Sequence, residues 1–513
     1  MIKIVQKLTL VFFVSILFKP LWLFEVSSIQ PSDDLSYWLH SSTLALDLDL
    51  NYKLDHNYKH YTIDPVTNVP YHPPGSGYAI APFVSLFSIF DKFTFSEFNR
   101  LSPVQSFAYI GYFFGNLFYS LWGFKLLKKI VEKKKYNNYS ILYFIILLST
   151  VIHFIAGRFL MSHAFEFFIC SFILYLYETK KNLFEFKNFS LLSSSYFILS
   201  ITRPSTFLYT LCLIGVYLES FKLAISLKNK IANFFFLTFL IYSYVNLSQK
   251  LYNQSYILLN FSNSQLLKTS SVEFSFDNYF YGLLKFPQLL FSTSMGIFWT
   301  MPTVLVFLVI LLKPRLYFQN FNIIQYLSIF AYIFVSFSVL FIWQGNEISY
   351  GQRLLIGILP FSFIIITKLK KLNLKFFKPH FALLYFSYLY FYSPNLTLEK
   401  GFNLWGRVVE FAPTFYSKNL IFNIFNVENI MYVLLKNIFT IDVINLINIK
   451  ELGFFKYLLN YISLENQIKL YEIVQSYEEI NRVYLISITI LILVFSSMFV
   501  NLALVNKNKI GNE

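Results

Sequence analysis

Charged side chains are scarce in this chain: Asp, Glu, Lys and Arg make up 13% of its 513 residues, about half the share usual in soluble domains. That scarcity excludes the three or so soluble domains that the length alone would suggest. Cysteine is nearly absent. The two that occur, Cys170 and Cys212, both lie inside apolar runs, so neither a disulfide framework nor a cysteine metal site is expected. Gly/Ser linkers and internal repeats are also missing, which argues against tethered modules and solenoids.

In place of charge the chain carries 56% hydrophobic and 21% aromatic residues, with a mean hydropathy of +0.53. A spanning helix needs roughly 20 mostly apolar residues. The apolar runs predict about twelve spans, near 7–26, 103–127, 140–158, 159–178, 190–203, 205–221, 231–248, 289–312, 322–343, 353–367, 380–393 and 484–506. The expected fold is therefore all-α, a polytopic transmembrane helical bundle. Lys19 and Pro20 interrupt the first run and the sequence after Val26 is a poor cleavage site, so that run is read as an uncleaved first helix.

The formal charge of +15 is concentrated in short lysine clusters between apolar runs, as at residues 125–135 and 368–378. Cytoplasmic loops facing anionic lipid have this character, and nucleic acid is not an expected partner. With a cytoplasmic N-terminus, every lysine cluster falls inside together. One apolar run, 77–90, is too short to span comfortably and is read as re-entrant or interfacial. The division that follows is a transmembrane module over 1–393 with a first external loop at 27–76, an extracytoplasmic segment of unknown role at 394–483, and a final helix and cytoplasmic tail at 484–513. The expected location is a multi-pass position in a membrane, with a site facing outward.

Six polar clusters then fall on the outer face. Asp33 and Asp34 follow the first helix; a carboxylate there is suited to accept a proton from an attacking hydroxyl, although Ser-Asp-Asp is also a good solvated helix start. Asp47-Leu48-Asp49 adds a weaker acidic triplet. His72 leads the rigid turn His72-Pro73-Pro74-Gly75 and is suited to donate to a phosphate. Arg158, His163 and Glu166 lie near an outer helix turn, the last two spaced to meet on one helix face. Arg203 precedes Pro204 at a helix junction, where snorkelling is the bland alternative. Ser294-Met295-Gly296 with Pro302 suits a close helix crossing. Finally, Glu347, Tyr350 and Arg353 lie in one stretch, and the Arg353 guanidinium at a helix mouth is suited to grip phosphate oxygens bidentately.

In this order the motifs resemble those of the GT-C glycosyltransferases, especially the bacterial relatives of protein O-mannosyltransferases and lipid A aminoarabinose transferases. The resemblance covers roughly residues 5–370 and lies in the series rather than in any one motif. It implies a polyprenyl-phosphate sugar donor, an inverting transfer, and a lipid, glycan or protein acceptor. It also implies that Asp33 or Asp34 is the catalytic carboxylate. Arg353, with Arg203, Arg158 and His72 behind it, is expected at the donor phosphate, and His163, Glu166, Tyr350 and Glu347 at the substrate. No cofactor is expected, and a divalent metal is left open because related oligosaccharyltransferases need one. The alternatives are a polysaccharide polymerase or ligase, which would favour an external loop rich in arginine and histidine, and a lipid-linked sugar transporter, which would favour midplane charges on repeated broken helices.

Overall fold

A computed structural model of the chain describes residues 33–53, 55, 63–64, 67–94, 106–133, 146–151, 154–155, 159–180, 182–203, 226–252, 290, 297, 301–304 and 353–368. The named elements within them are all helical, and Ile63 and Pro70 add one isolated antiparallel bridge. The expected spans at 7–26, 205–221, 322–343, 380–393 and 484–506, and the segment 394–483, lie outside the described residues.

Helix α1 (Asp33–Asp47) occupies what the sequence suggested was an acidic external loop. Asp33 and Asp34 stand in its first turn, where the helix dipole favours negative charge. Leu35, Trp38, Leu39 and Ala45 are core residues, yet Ser36, His40, Ser41 and Thr43 between them are fully buried too. A helix covered on every side is an internal element rather than a solvated cap. Leu48, with φ of 60°, ends it in the left-handed conformation typical of a helix C-terminus.

Helix α2 (Gly75–Thr94) is 20 residues long and contains Pro82, so it outruns the expected short segment at both ends. Helix α3 (Phe107–Lys133) has 27 residues. Residues Ala79, Ile80, Phe83 and Phe87 of α2 meet Tyr119, Gly115, Gly111 and Phe114 of α3. The two helices therefore run antiparallel along the first half of α3. A Cβ on Gly111 would lie 2.6 Å from the Phe83 carbonyl oxygen, so this close crossing requires glycine.

Helix α4 (His163–Thr179) follows a kinked stretch at Leu147–Val151, where Ser149 leaves helical geometry. Its partners on α3 rise in step: Tyr112 with Leu160, Tyr119 with Phe165, Phe124 with Phe167 and Lys133 with Thr179. Thus α3 and α4 are parallel, and the starts of α2 and α4 meet near the middle of α3. Helix α5 (Phe186–Thr202) returns antiparallel to α4, with Tyr196 against Tyr177 and Arg203 against Glu166. Its many hydroxyls fit apolar surroundings because Ser193, Ser195, Ser200 and Thr202 bond back to carbonyls one turn earlier. Helix α6 (Leu227–Tyr252) runs parallel to α5, as Asn233 with Phe184 and Phe236 with Phe186 show.

Among the described residues α6 is the one helix long and apolar enough to cross a membrane, by length and composition. It leaves Phe234, Phe235, Phe239 and Tyr242 exposed. A 3₁₀ turn at Arg353–Ile358 leads into α7 (Leu359–Lys368), both packed on α4. The change of helix type falls beside Pro360, whose missing N–H interrupts the ladder.

The chain divides into two units: one is Met1–Ile29, Phe90–Ile110 and Tyr385–Glu513, the other Gln30–Ile89 and Gly111–Leu384. In the first, the Asp91 carboxylate accepts the N–H groups of Phe107 and Ala108 at 2.6 and 2.8 Å and caps α3. In the second, the helix directions gather Lys133, Lys180, Lys187 and Lys228 at one end. The starts of α2 and α4, and the ends of α5 and α6, gather at the other.

Candidate functional site

At that second end, polar groups from distant parts of the chain form one contiguous cluster. Its innermost part is an ion pair. Arg203, at the extended cap of α5, is 8% exposed, and Glu166 in the first turn of α4 is fully buried. Nη1 of Arg203 stands 2.9 Å from Oε2 of Glu166, 2.6 Å from Nδ1 of His163 and 3.4 Å from the Arg353 carbonyl oxygen. A guanidinium only donates, so Nδ1 of His163 must be the acceptor and its ring proton sits on Nε2. The 3.3 Å contact between that same Nδ1 and Glu166 then has no proton in it; Arg203 bridges both groups instead. Burial excludes the snorkelling alternative for Arg203, and the His163–Glu166 pairing expected from helical spacing is present with a third member.

Arg353 begins the 3₁₀ turn and is half-buried, with Nη1 3.9 Å from the Met161 sulfur. Next to Met161, the Ser162 hydroxyl bonds to the Tyr37 hydroxyl at 3.1 Å, which brings α1 to the start of α4. Asp34 is buried one helical turn away, and its carboxylate and Tyr37 both act electrostatically on the Tyr112 phenol. Asp33 opens α1, and its side chain lies outside the described ones. His72 is half-buried, with Nδ1 3.0 Å from the Ser36 hydroxyl and its ring 5.7 Å from Tyr37. Arg158, Glu347, Tyr350 and residues 291–296 lie outside the described residues. Asp47 and Asp49 are exposed at the far end of α1 and do not join the cluster.

Sequence reasoning missed a second layer of this cluster. His40 is fully buried on α1, with Nδ1 2.6 Å from the Tyr52 hydroxyl and Nε2 2.8 Å from the His72 carbonyl oxygen. A carbonyl can only accept, so Nε2 carries the proton and Tyr52 donates to Nδ1. Tyr52 has then used its own proton, and Tyr78 donates to it at 3.0 Å. Burial is the largest effect on His40 and lowers its pKa to about 3, so the ring is neutral. Burial likewise pushes the Tyr52 phenol well above its usual range, aided by Tyr78. Tyr252, at the end of α6, shares its one hydroxyl proton between the carbonyls of Pro70 and His72, at 3.1 and 3.3 Å. A signal did exist, since Ser36, Tyr37 and His40 recur at helical spacing, but the surrounding polarity concealed it.

Among the described residues, no three His, Cys, Asp or Glu side chains converge as a metal would require. What the arrangement offers chemically is two buried carboxylates, hydroxyls, imidazoles and two guanidiniums gathered at one end of the described helices. No protein-family model, curated protein or solved structure matches this chain.

Proposed function

We propose that this chain is a multi-pass bacterial inner-membrane glycosyltransferase of the cell envelope, similar to the GT-C enzymes. It transfers a sugar from a polyprenyl-phosphate carrier to a lipid, glycan or protein acceptor on the outer face. The observation that carries this reading is the meeting of Asp34, His72, Ser162, His163, Glu166, Arg203 and Arg353 in one cluster. These residues come from five separate clusters of the series that resembles the family, with Ser162, His163 and Glu166 sharing one of them.

The membrane part of the reading has its own support. Lys133, Lys180, Lys187 and Lys228 lie at the end of the described bundle opposite the polar cluster, which suits basic ends in the cytoplasm and a site outside. The exposed aromatic face of α6 suits contact with lipid. In this reading the twelve-helix bundle extends beyond the described helices. Helix α2 starts at the cluster and runs away from α4, so it need not turn the basic end of α3 outward.

In the reaction, the acceptor hydroxyl oxygen bonds to the anomeric carbon as the bond from that carbon to the phosphate oxygen breaks, with inversion. The hydroxyl proton passes to the carboxylate of Asp33 or Asp34, and the electron pair leaves on the lipid phosphate. Arg353, half-buried at the start of its turn, meets that developing charge. Because Nη1 of Arg203 is engaged with Glu166, Arg203 in this reading holds the Arg353 backbone instead of leading at the phosphate. His72, Arg158, Tyr350 and Glu347 complete the donor and acceptor contacts, while His163 and Glu166 hold Arg203.

The test is purified full-length protein in nanodiscs, incubated with polyprenyl-phosphate sugars, alongside mass analysis of surface glycans from cells with and without it. The expected result is new glycosylated product and released polyprenyl phosphate. Movement of intact lipid-linked sugar without bond formation would replace this reading by a transporter. Consumption of only a lipid-diphosphate donor would replace it by a polymerase or ligase.

A further inference from the structure

Two side chains reach one backbone carbonyl, and a chain of two more stands behind the first of them. The His72 oxygen receives Nε2–H of His40 from α1 at 2.8 Å and the hydroxyl of Tyr252 from α6 at 3.3 Å. His40 is itself held by Tyr52 from the segment after α1, and Tyr52 by Tyr78 from the first turn of α2. The packing leaves little freedom here. A Cβ on Gly77 would stand 2.7 Å from Cβ of His40 and 2.8 Å from the Tyr37 carbonyl oxygen, so α2 lies directly against α1 at this point.

The His72-Pro73-Pro74-Gly75 turn is thus pinned from both sides. The two prolines fix their own φ angles and supply no N–H, so the turn is held through its carbonyls, that of His72 by His40 and that of Pro74 by the Tyr78 N–H at 2.9 Å. The imidazole of the same residue projects to Ser36, one turn before His40 on α1. One helix therefore grips the backbone of His72 through His40 and its side chain through Ser36.

We infer that His40, kept in the Nε2-protonated form by the His72 carbonyl, is a positioning residue that aims the His72 imidazole into the polar cluster. The inference rests on the proposed sugar transfer for its kinetic consequence, but the aim of the ring is observable without it. A merely space-filling His40 would tolerate any replacement of similar size. A positioning His40 discriminates between two amides: Gln places an N–H₂ near the Nε2 position and keeps the donor to His72, whereas Asn places its amide near Nδ1 and loses that donor.

The experiment is nitrogen NMR of full-length, ¹⁵N-histidine-labelled protein in nanodiscs, in which His40→Gln identifies the His40 signals among the seven histidines. At pH 7 His40 is expected with Nδ1 unprotonated and Nε2 protonated. The His72 signals should stay in place in His40→Gln and move in His40→Asn. The donor KM should rise roughly tenfold in His40→Asn, the cost of one lost buried hydrogen bond, with kcat less affected. If His40→Asn does not fold, Tyr252→Phe removes the other donor to the same carbonyl and should move the His72 signals in its turn. The opposite tautomer at His40, or His72 signals that respond equally to Gln and Asn, would overturn the positioning role. Wild-type protein with the expected spectra and no sugar transfer would overturn the glycosyltransferase reading and leave the positioning of His72 standing.

Discussion

Arg203 and Glu166 show what a single buried charge demands of its neighbours. Each is almost sealed from solvent, so removing one partner leaves the other charge uncompensated. Such a loss typically costs about 3–5 kcal/mol. Glu166→Gln is therefore expected to lower unfolding stability by that order, measured by denaturation in detergent, while exchange of an exposed residue such as Lys187 leaves it unchanged. The acidic pair is tested by activity instead. Asn matches Asp in size and loses only the interaction of the charge with the helix dipole, about 0.3–1 kcal/mol, so Asp33→Asn and Asp34→Asn should both fold. One of them should lose about 100-fold to 10,000-fold in sugar transfer, the range general-base catalysis contributes; full turnover in both singles and the double would remove α1 from the chemistry. At Arg353, Lys keeps the charge and loses the planar fork. Arg353→Lys is expected to weaken binding of a polyprenyl-phosphate sugar in a filter or calorimetric assay, and unchanged affinity would move the phosphate contact elsewhere. Local spacing made the His163–Glu166 pair legible in the sequence. Their third partner was not, because Arg203 is 37 positions from Glu166.

Helix α1 is the element in which sequence and structure differ most. The sequence reading placed this stretch in an external loop with a solvated acidic start, yet residues 34–43 are all buried. Their polarity is spent on hydrogen bonds to other segments, as at Ser36, Tyr37 and His40, and composition cannot distinguish such inward bonds from bonds to water. The burial of α1 carries a pH dependence. The folded pKa of His40, about 3, lies below the ordinary histidine value, so the unfolded chain takes up this proton first. Stability is therefore expected to be level above about pH 6.5 and to fall by up to about 1.4 kcal/mol per unit as the pH drops from there toward 3. His40→Gln should remove this contribution. Comparing unfolding of the two proteins at pH 7 and pH 4.5 checks it, and parallel curves would mean that His40 takes up a proton without cost. Helix α2 differs for another reason: the apolar run that marks it in the sequence omits its polar first turn and its Asp91-Lys92 end, and the backbone continues through both.

Across the whole molecule, the proposed orientation is open to cysteine labelling. Ser36 is fully buried and would not react whichever side it faced, whereas Asp49 and Lys133 are exposed. Cysteine at 49 should react with an impermeant reagent in intact cells, and cysteine at 133 only after the membrane is opened; reaction of both from outside would refute the arrangement. Helical character and the positions of the basic clusters were determined by the sequence itself. Both depend on residue types within a few turns of one another, through hydrophobic periodicity and local charge. Which polar residues meet was decided by the tertiary structure alone. Tyr37 and Ser162 are 125 positions apart, and Arg203 and Arg353 are 150 apart. Their contacts exist because α4 packs in parallel with α3 while α5 and the 3₁₀ turn both pack against α4. No local pattern encodes that placement, since it depends on which helix surfaces fit together, and so a series of separate motifs became one buried cluster only on folding.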